Sequence, residues 1–211
     1  MNKKALIITD IQNDFCPGGS LATKKGAEII ERINPLSRNG NFDLIVATQD
    51  WHPANHLSFA SNQKNHKAYD IIDTDHGIDV LWPDHCIAGT KGAEFHPDLD
   101  LTQINMIIRK GSNPKLDSYS TFLENDENTP TGLTGYLKEH DISDVYLCGI
   151  ATDVCVYNSA IDAMNFGFNT YVIEDACAAV DVPAGSLQKA IKSMLSRGIK
   201  FTTTIQLKEK K

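Results

Sequence analysis

The stretch VYLCGIATDVCVYNSAIDAMNFG, residues 145–167, decides how the rest of the chain is read. Its opening, 145–150, is a continuous apolar run, the pattern of a strand covered on both faces. From 153 onward the apolar residues recur at helical spacing until Gly167, a residue suited to ending a helix. Strand, GIATD turn and helix therefore follow one another without interruption. Cys148 and Cys155 flank that turn, too far apart for a Cys-x-x-Cys metal or redox motif, so each thiol needs its own explanation.

The same unit recurs outward. Runs at 5–9, 44–48, 105–109 and 170–174 are rich in Ile and Val, and a Thr-rich run at 200–207 reads as an edge strand. Helical patterns at 27–38, 132–140 and 186–198 fall between them, with Gly40 and Gly198 at expected stops and Gly185 or Ser186 at a start. Pro35 is expected to kink or shorten the first helix. Alternating strands and helices predict an α/β fold with right-handed crossovers. A length of 211 residues suffices for one sizeable core, and a single domain over 1–211 is the expectation.

Composition excludes several classes of partner. No segment approaches the roughly 20 apolar residues that span a bilayer, so no membrane association is expected. The start MNKKALIITD has too short an apolar run for a signal peptide. Five scattered cysteines, an odd number, read as free thiols in a reducing, cytoplasmic setting. A net charge of −7 with scattered basic residues argues against nucleic acid, and the terminal KEKK reads as a solvated tail.

In an open parallel sheet the ligand site lies beyond the carboxyl ends of the strands. Those ends here carry Asp10, Asp50 with His52, Lys110, and the turn leading to Cys155. Cys148, inside an apolar run, reads as a small buried hydrophobe. Cys155 stands at a helix start, where free N–H groups and the helix dipole are expected to lower a thiol's pKa and to hold an oxyanion. Asp10 can serve as its base with Lys110 as charged neighbour, against the plainer alternative of a buried thiol and unrelated charges.

A second constellation is DWHPANH with WPDHC. Asp50 and His52 can turn toward one ion with His85 as third ligand, a carboxylate–imidazole set suited to zinc, iron or manganese. His56, Asp84 and Cys86 are nearby and read as supporting residues, and His66, His76, His96 and His140 as surface or packing residues. The segment 51–97 fits no strand–helix rhythm, and its Trp, His and Cys content marks it as functional rather than disordered. The acidic loop 123–132 reads as a solvated loop or the edge of a lid.

IITDIQNDFCPGGSL, TQDWHPANHLSF, WPDHCIAGTKGAEFHPDL, IRKG and CGIATDVCVYNSAIDAMNFG, in that order over about residues 5–180, resemble the nicotinamidases among the isochorismatase-like cysteine hydrolases. The resemblance implies a three-layer α/β/α, Rossmann-like fold with a six-stranded, mainly parallel sheet. It implies hydrolysis of nicotinamide, and of pyrazinamide, to the acid and ammonia in NAD salvage, with no nucleic-acid or membrane partner and a homo-oligomer left open. It assigns Asp10, Lys110 and Cys155 as the catalytic triad and the Ala151 and Cys155 amides, after a cis Ile150–Ala151 peptide, as the oxyanion hole. Asp50, His52 and His85 would bind one divalent ion, zinc first, with iron or manganese as alternatives. Phe15 and Trp82 would sandwich the pyridine ring, with Leu21 and Tyr119 beside it and the DSYSTF segment on the substrate side.

Three rivals stand beside this reading. An amidase of the same superfamily acting on a carbamoyl or ureido substrate would lack the metal motifs, and isochorismatase chemistry would lack the cysteine. A non-catalytic metal-binding scaffold on the same fold is the rival from another class.

Overall fold

The computed structural model describes residues 2–75 and 77–209; His76 and the last two lysines of the KEKK tail lie outside them. In chain order the elements are β1 (Lys3–Thr9), α1 (Ile30–Asn39), β2 (Leu44–Asp50), β3 (Ile71–Thr74), β4 (Gly77–Val80), β5 (Met106–Lys110) and α2 (Leu133–Glu139). They continue as β6 (Ile142–Ile150), α3 (Cys155–Asn165), β7 (Asn169–Ala178), α4 (Ser186–Ser196), β8 (Lys200–Thr202) and α5 (Thr204–Glu209).

The continuous apolar runs become strands because both faces of the sheet are covered. Successive side chains alternate across a strand, so Leu6 and Ile8 enter one core while Ala5 and Ile7 enter the other. Tyr146, Cys148 and Ile150 of β6 likewise join the core that α1 covers, and Val145 and Leu147 the core that α2, α3 and α4 cover. A strand wet on one face would alternate apolar with polar residues instead.

Six parallel strands form one sheet in the order β5-β2-β1-β6-β7-β8, and β3 pairs with β4 in a separate antiparallel hairpin. This is the expected three-layer α/β/α architecture. From β1 the chain runs outward through β2 to β5, then returns to lay β6 on the other side of β1. The reversal opens a crevice beyond the carboxyl ends of β1 and β6, where doubly wound sheets take their ligands.

Some boundaries differ from expectation. The predicted edge strand at 200–207 stops at Thr202, because Asp175 accepts hydrogen bonds from the Thr204 N–H and hydroxyl (2.8 and 2.6 Å) and starts α5 there. α1 begins at Ile30 rather than 27 and keeps Pro35 inside. Gly167 and Gly198 follow α3 and α4 in the left-handed region, as their positions as stops suggested. The irregular segment 51–97 contains the β3–β4 hairpin but no α-helix among the described residues. No helix among them is long and apolar enough to cross a membrane, and all five cysteines are free.

Candidate active site

β1 ends at Thr9 and β6 at Ile150, side by side, and a glycine lets them approach. A Cβ on Gly149 (φ 117°) would lie 2.1 Å from the Thr9 carbonyl oxygen, so no side chain fits there. Beyond β1, Asp10 sits in the left-handed region (φ 51°). Beyond β6, the Ile150–Ala151 peptide is cis, and the chain turns into α3 with Cys155 as its first helical residue. The Val154 and Val156 N–H groups both donate to the Ala151 carbonyl (3.1 and 3.0 Å), and Thr152 N–H donates to Ala178. The Ala151 and Cys155 amides take no part in these bonds.

Lys110 arrives from β5, two strands away from β1, where it pairs in register with Asp50 at the end of β2. Its ammonium is closed off from water and lies 3.0 Å from Asp10 Oδ2 and 3.6 Å from Cys155 Sγ. It donates to Asp50 Oδ1 and, at 2.9 Å, to the Ser118 carbonyl. Burial alone would neutralise the lysine, but the two carboxylates outweigh it and hold its pKa well above the usual value. Deleting one partner from such a buried set costs on the order of 3–5 kcal/mol.

Burial pushes the Asp10 carboxyl up to about 6 against the pull of Lys110, while Thr48 donates to its Oδ1 at 2.6 Å. Burial also drives the Cys155 thiol well above its ordinary value, with Lys110 opposing and Asp10 and Asp50 adding to the rise. Against the expected pull of the helix start, lost hydration above all, with the two carboxylates adding to it, raises this thiol. Near neutral pH the proton rests on sulfur and Asp10 is an ionised acceptor beside it, within 4.8 Å.

Asp50 turns its other oxygen toward two histidines. Its Oδ2 lies 3.7 Å from His52 Nε2 and 3.8 Å from His85 Nε2. The far ring nitrogens are committed: His52 Nδ1 pairs with the Gly111 carbonyl at 2.9 Å and His85 Nδ1 with the Pro83 carbonyl at 2.7 Å. A carbonyl only accepts, so each Nδ1 carries the hydrogen and each Nε2 is the atom left for a cation; until one binds, Asp50 raises the His52 pKa against the effect of burial. One carboxylate oxygen and two imidazole nitrogens thus converge, a donor set that fits a single divalent cation. Burial drives His85 down to about 4, with His52 adding to the fall, and so keeps it neutral.

His56 is close but differently used. Its Nδ1 pairs with the Ser58 hydroxyl (2.7 Å), its Nε2 with the Leu116 carbonyl (3.2 Å), and its ring centroid lies 4.3 Å from that of His52. It braces the His52 ring. Asp84 is exposed and takes the Ser61 hydroxyl, and the buried Cys86 donates its N–H to Asp14. His66 and His140 are exposed and His96 is half-buried.

These groups open onto one pocket of about 390 Å³, its mouth included. Phe15, Leu21, Trp82 and Tyr119 form apolar walls around Asp50, His52, His85, Ala151 and Cys155. Trp82 Nε1–H donates to the Tyr119 hydroxyl at 3.2 Å, and Asn125 accepts the Tyr119 N–H at 3.0 Å. The 123–132 loop therefore holds a pocket wall and is more than a solvated surface loop. Of the residues singled out from the sequence, Phe15, Leu21, Asp50, His52, Trp82, His85, Tyr119, Ala151 and Cys155 line the pocket, and Asp10 and Lys110 lie buried behind Cys155 and Asp50.

Several contributors escaped the sequence. Thr48 orients Asp10, and Gln12 clamps Asp50 by accepting its N–H and donating to its carbonyl, both at 2.8 Å. Asp117, almost fully buried, lines the pocket beside the histidines, and Val154 and Val180 complete its walls. Gln12 lies inside the quoted IITDIQNDF stretch, a signal that could have found it; Val180 gives none, since only folding brings residue 180 to Cys155.

Fold and site together define a hydrolase of the doubly wound α/β type with a cysteine at the sheet's switch point. Residues 4–206 match the isochorismatase domain family, and the chain belongs to that family. Within it the chain groups with the nicotinamidases. It is 54% identical over 198 residues to the nicotinamidase of Acinetobacter baylyi, covering 94% of this chain and 91% of that protein. It superposes on the Acinetobacter baumanii nicotinamidase/pyrazinamidase with a TM-score of 0.95 at 49% identity, covering 98% and 99% of the two chains. The Pyrococcus horikoshii pyrazinamidase, solved in complex with zinc, matches with a TM-score of 0.77 at 36% identity over 95% of this chain and 99% of that one.

Proposed function

We propose that the chain, acting as one domain over 1–211, hydrolyses nicotinamide to nicotinate and ammonia, and pyrazinamide likewise, in the salvage of NAD in the cytoplasm. The observation that carries this reading is that Cys155 shares one pocket with the Asp50, His52 and His85 donor set while Asp10 and Lys110 lie buried behind it within reach of its sulfur.

Asp10 accepts the proton of Cys155 as the sulfur attacks the carboxamide carbon. The raised thiol and the acceptor near 6 suit a transfer made during attack, with no standing thiolate. The Ala151 and Cys155 amides face no backbone partner in the turn and are left to hold the oxyanion. Lys110 steadies the charge on Asp10 and on the departing sulfur proton's site. Asp10 then returns its proton to the leaving nitrogen as the carbon–nitrogen bond breaks and ammonia departs. Water deprotonated by Asp10 hydrolyses the thioester, releasing nicotinate and restoring the thiol. Asp50, His52 and His85 would hold one divalent ion, zinc by preference over iron or manganese, which supplies Lewis-acid anchoring and polarisation of the pyridine ring. Phe15 and Trp82 flank the ring, with Leu21 and Tyr119 beside it, and exclude water.

Ammonia release from nicotinamide, measured before chelation, after it and after metal add-back, tests the assignment. Release that falls on chelation and returns on add-back is expected. No ammonia from the fully loaded protein would sink it.

A further inference from the structure

Asp153 stands in the turn two residues before Cys155, and nothing in the chemistry above uses it. Its carboxylate is nevertheless fully engaged. Oδ1 accepts the Val180 N–H at 3.0 Å, and Oδ2 accepts the Asp181 N–H at 2.9 Å together with the Ser186 hydroxyl. Next to it, Thr152 N–H donates to the Ala178 carbonyl at 2.9 Å. The nucleophile turn and the loop between β7 and α4 are thus stitched together by neighbouring residues.

That loop has no ladder of its own to fix it. Asp181 holds a left-handed conformation (φ 52°) and accepts the Gly185 and Leu187 N–H groups at 2.9 and 3.2 Å, tying the loop to the start of α4. Beside the packing of Val180 against the core, the Asp153 carboxylate supplies the side-chain hydrogen bonds between this loop and the nucleophile turn, and its charge strengthens each bond it accepts. Among the described residues that line the pocket, Val180 is the one this loop supplies, half-buried and facing the same space as Val154 and Cys155.

We infer that Asp153 is a positioning residue that latches Val180 in place as a wall of the pocket, and that Val180 thereby limits which ring-substituted pyridine carboxamides fit beside Cys155. The inference rests on the hydrolase reading for its substrate class. A single carboxylate sets both the nucleophile's turn and the wall opposite, so the gap between them is fixed. An added methyl group that meets a fixed apolar wall is typically discriminated by about 10- to 200-fold.

The test compares kcat/KM for nicotinamide and for its ring-methylated derivatives in the wild type and in Val180→Ala, Asp153→Asn and Ser186→Ala. Val180→Ala is expected to raise the ratio of methylated to unsubstituted substrate about tenfold. Asp153→Asn, which turns an acceptor into a donor facing N–H groups, should relax the same ratio and raise KM about tenfold while kcat changes less than about threefold. Ser186→Ala removes one of the three bonds and should move the ratio the same way by less; it takes the place of Asp153→Asn should that variant not fold. Ratios unchanged in all variants that fold overturn the inference. Hydrogen exchange at the Val180 and Asp181 amides reads the latch without turnover, faster in Asp153→Asn, or in Ser186→Ala if only that folds. Should the loaded wild type release no ammonia, the hydrolase reading fails by itself, and unchanged exchange in these variants is then what overturns the latch.

Discussion

Cys148 is closed off from water and Cys155 nearly so, and burial pushes both thiols well above the usual range. Yet their surroundings share nothing. Cys148 rests in the strand with its sulfur 3.7 Å from the Ile7 carbonyl, while Cys155 has the Lys110 ammonium at 3.6 Å and the Asp10 carboxylate near it. Burial does not distinguish the two thiols. A proton acceptor and a cation within reach do, and the GIATD turn is what moves the second thiol into their company.

The comparison breaks first at Cys155. Replacing Cys155 by Ala should lower ammonia release from nicotinamide by about 10⁴-fold or more, the scale of losing a nucleophile that acts as part of a unit. Substantial residual release would mean that another group attacks. Asp10→Asn should cost about 10²- to 10⁴-fold in kcat while leaving metal content unchanged. The same base sets the acid limb of the pH profile. Asp10 accepts a proton only when ionised, and its pKa stands near 6. In the wild type log kcat/KM should therefore bend at or below pH 6, lower with the ion bound than without it, and fall about tenfold per pH unit below the bend; an acid limb that Asp10→Asn leaves in place would remove Asp10 from the role.

Gly111→Ala probes the metal side. A Cβ there would lie 2.4 Å from His52 Cε1, and Gly111 is in the left-handed region, so the ring must shift. Competition with a chelator should show metal affinity reduced about 10- to 100-fold, as for other changes that disturb a ligand's support. The smallest effect is at Cys148. Cys148→Ala should keep activity within about twofold and shift unfolding by about 1–2 kcal/mol in denaturant titrations, which sharpens the contrast between the two thiols.

Much of the fold was legible because the central strands are buried on both faces, which writes itself as unbroken apolar runs such as Ala5–Ile8 and Leu44–Ala47. The site's strand-end residues were legible for a related reason: a parallel sheet gathers its carboxyl ends, so Asp10, Asp50 and Lys110 declare themselves by position. The edge beyond Thr202 was misread because its fate is set by Asp175, a residue on β7 far back in the chain. Thr48, Gln12 and Val180 were missed for the same reason, since each acts on a partner that sequence separation hides. The direction of the Cys155 shift was misread because the helix start is local and visible, whereas the burial that raises the thiol comes from strands and loops distant in sequence, with the carboxylates of β1 and β2 adding to it.

The placement of Lys110 between Asp10 and Asp50 also sets the charge around the thiol. Taken by themselves, these three side chains sum to −1 at neutral pH before anything binds. A divalent ion on the Asp50 side turns that sum to +1. Loading thus reverses the local polarity from one that resists negative charge on sulfur or oxygen to one that welcomes it. The lysine is the hinge of that reversal, because it alone touches both carboxylates and the thiol.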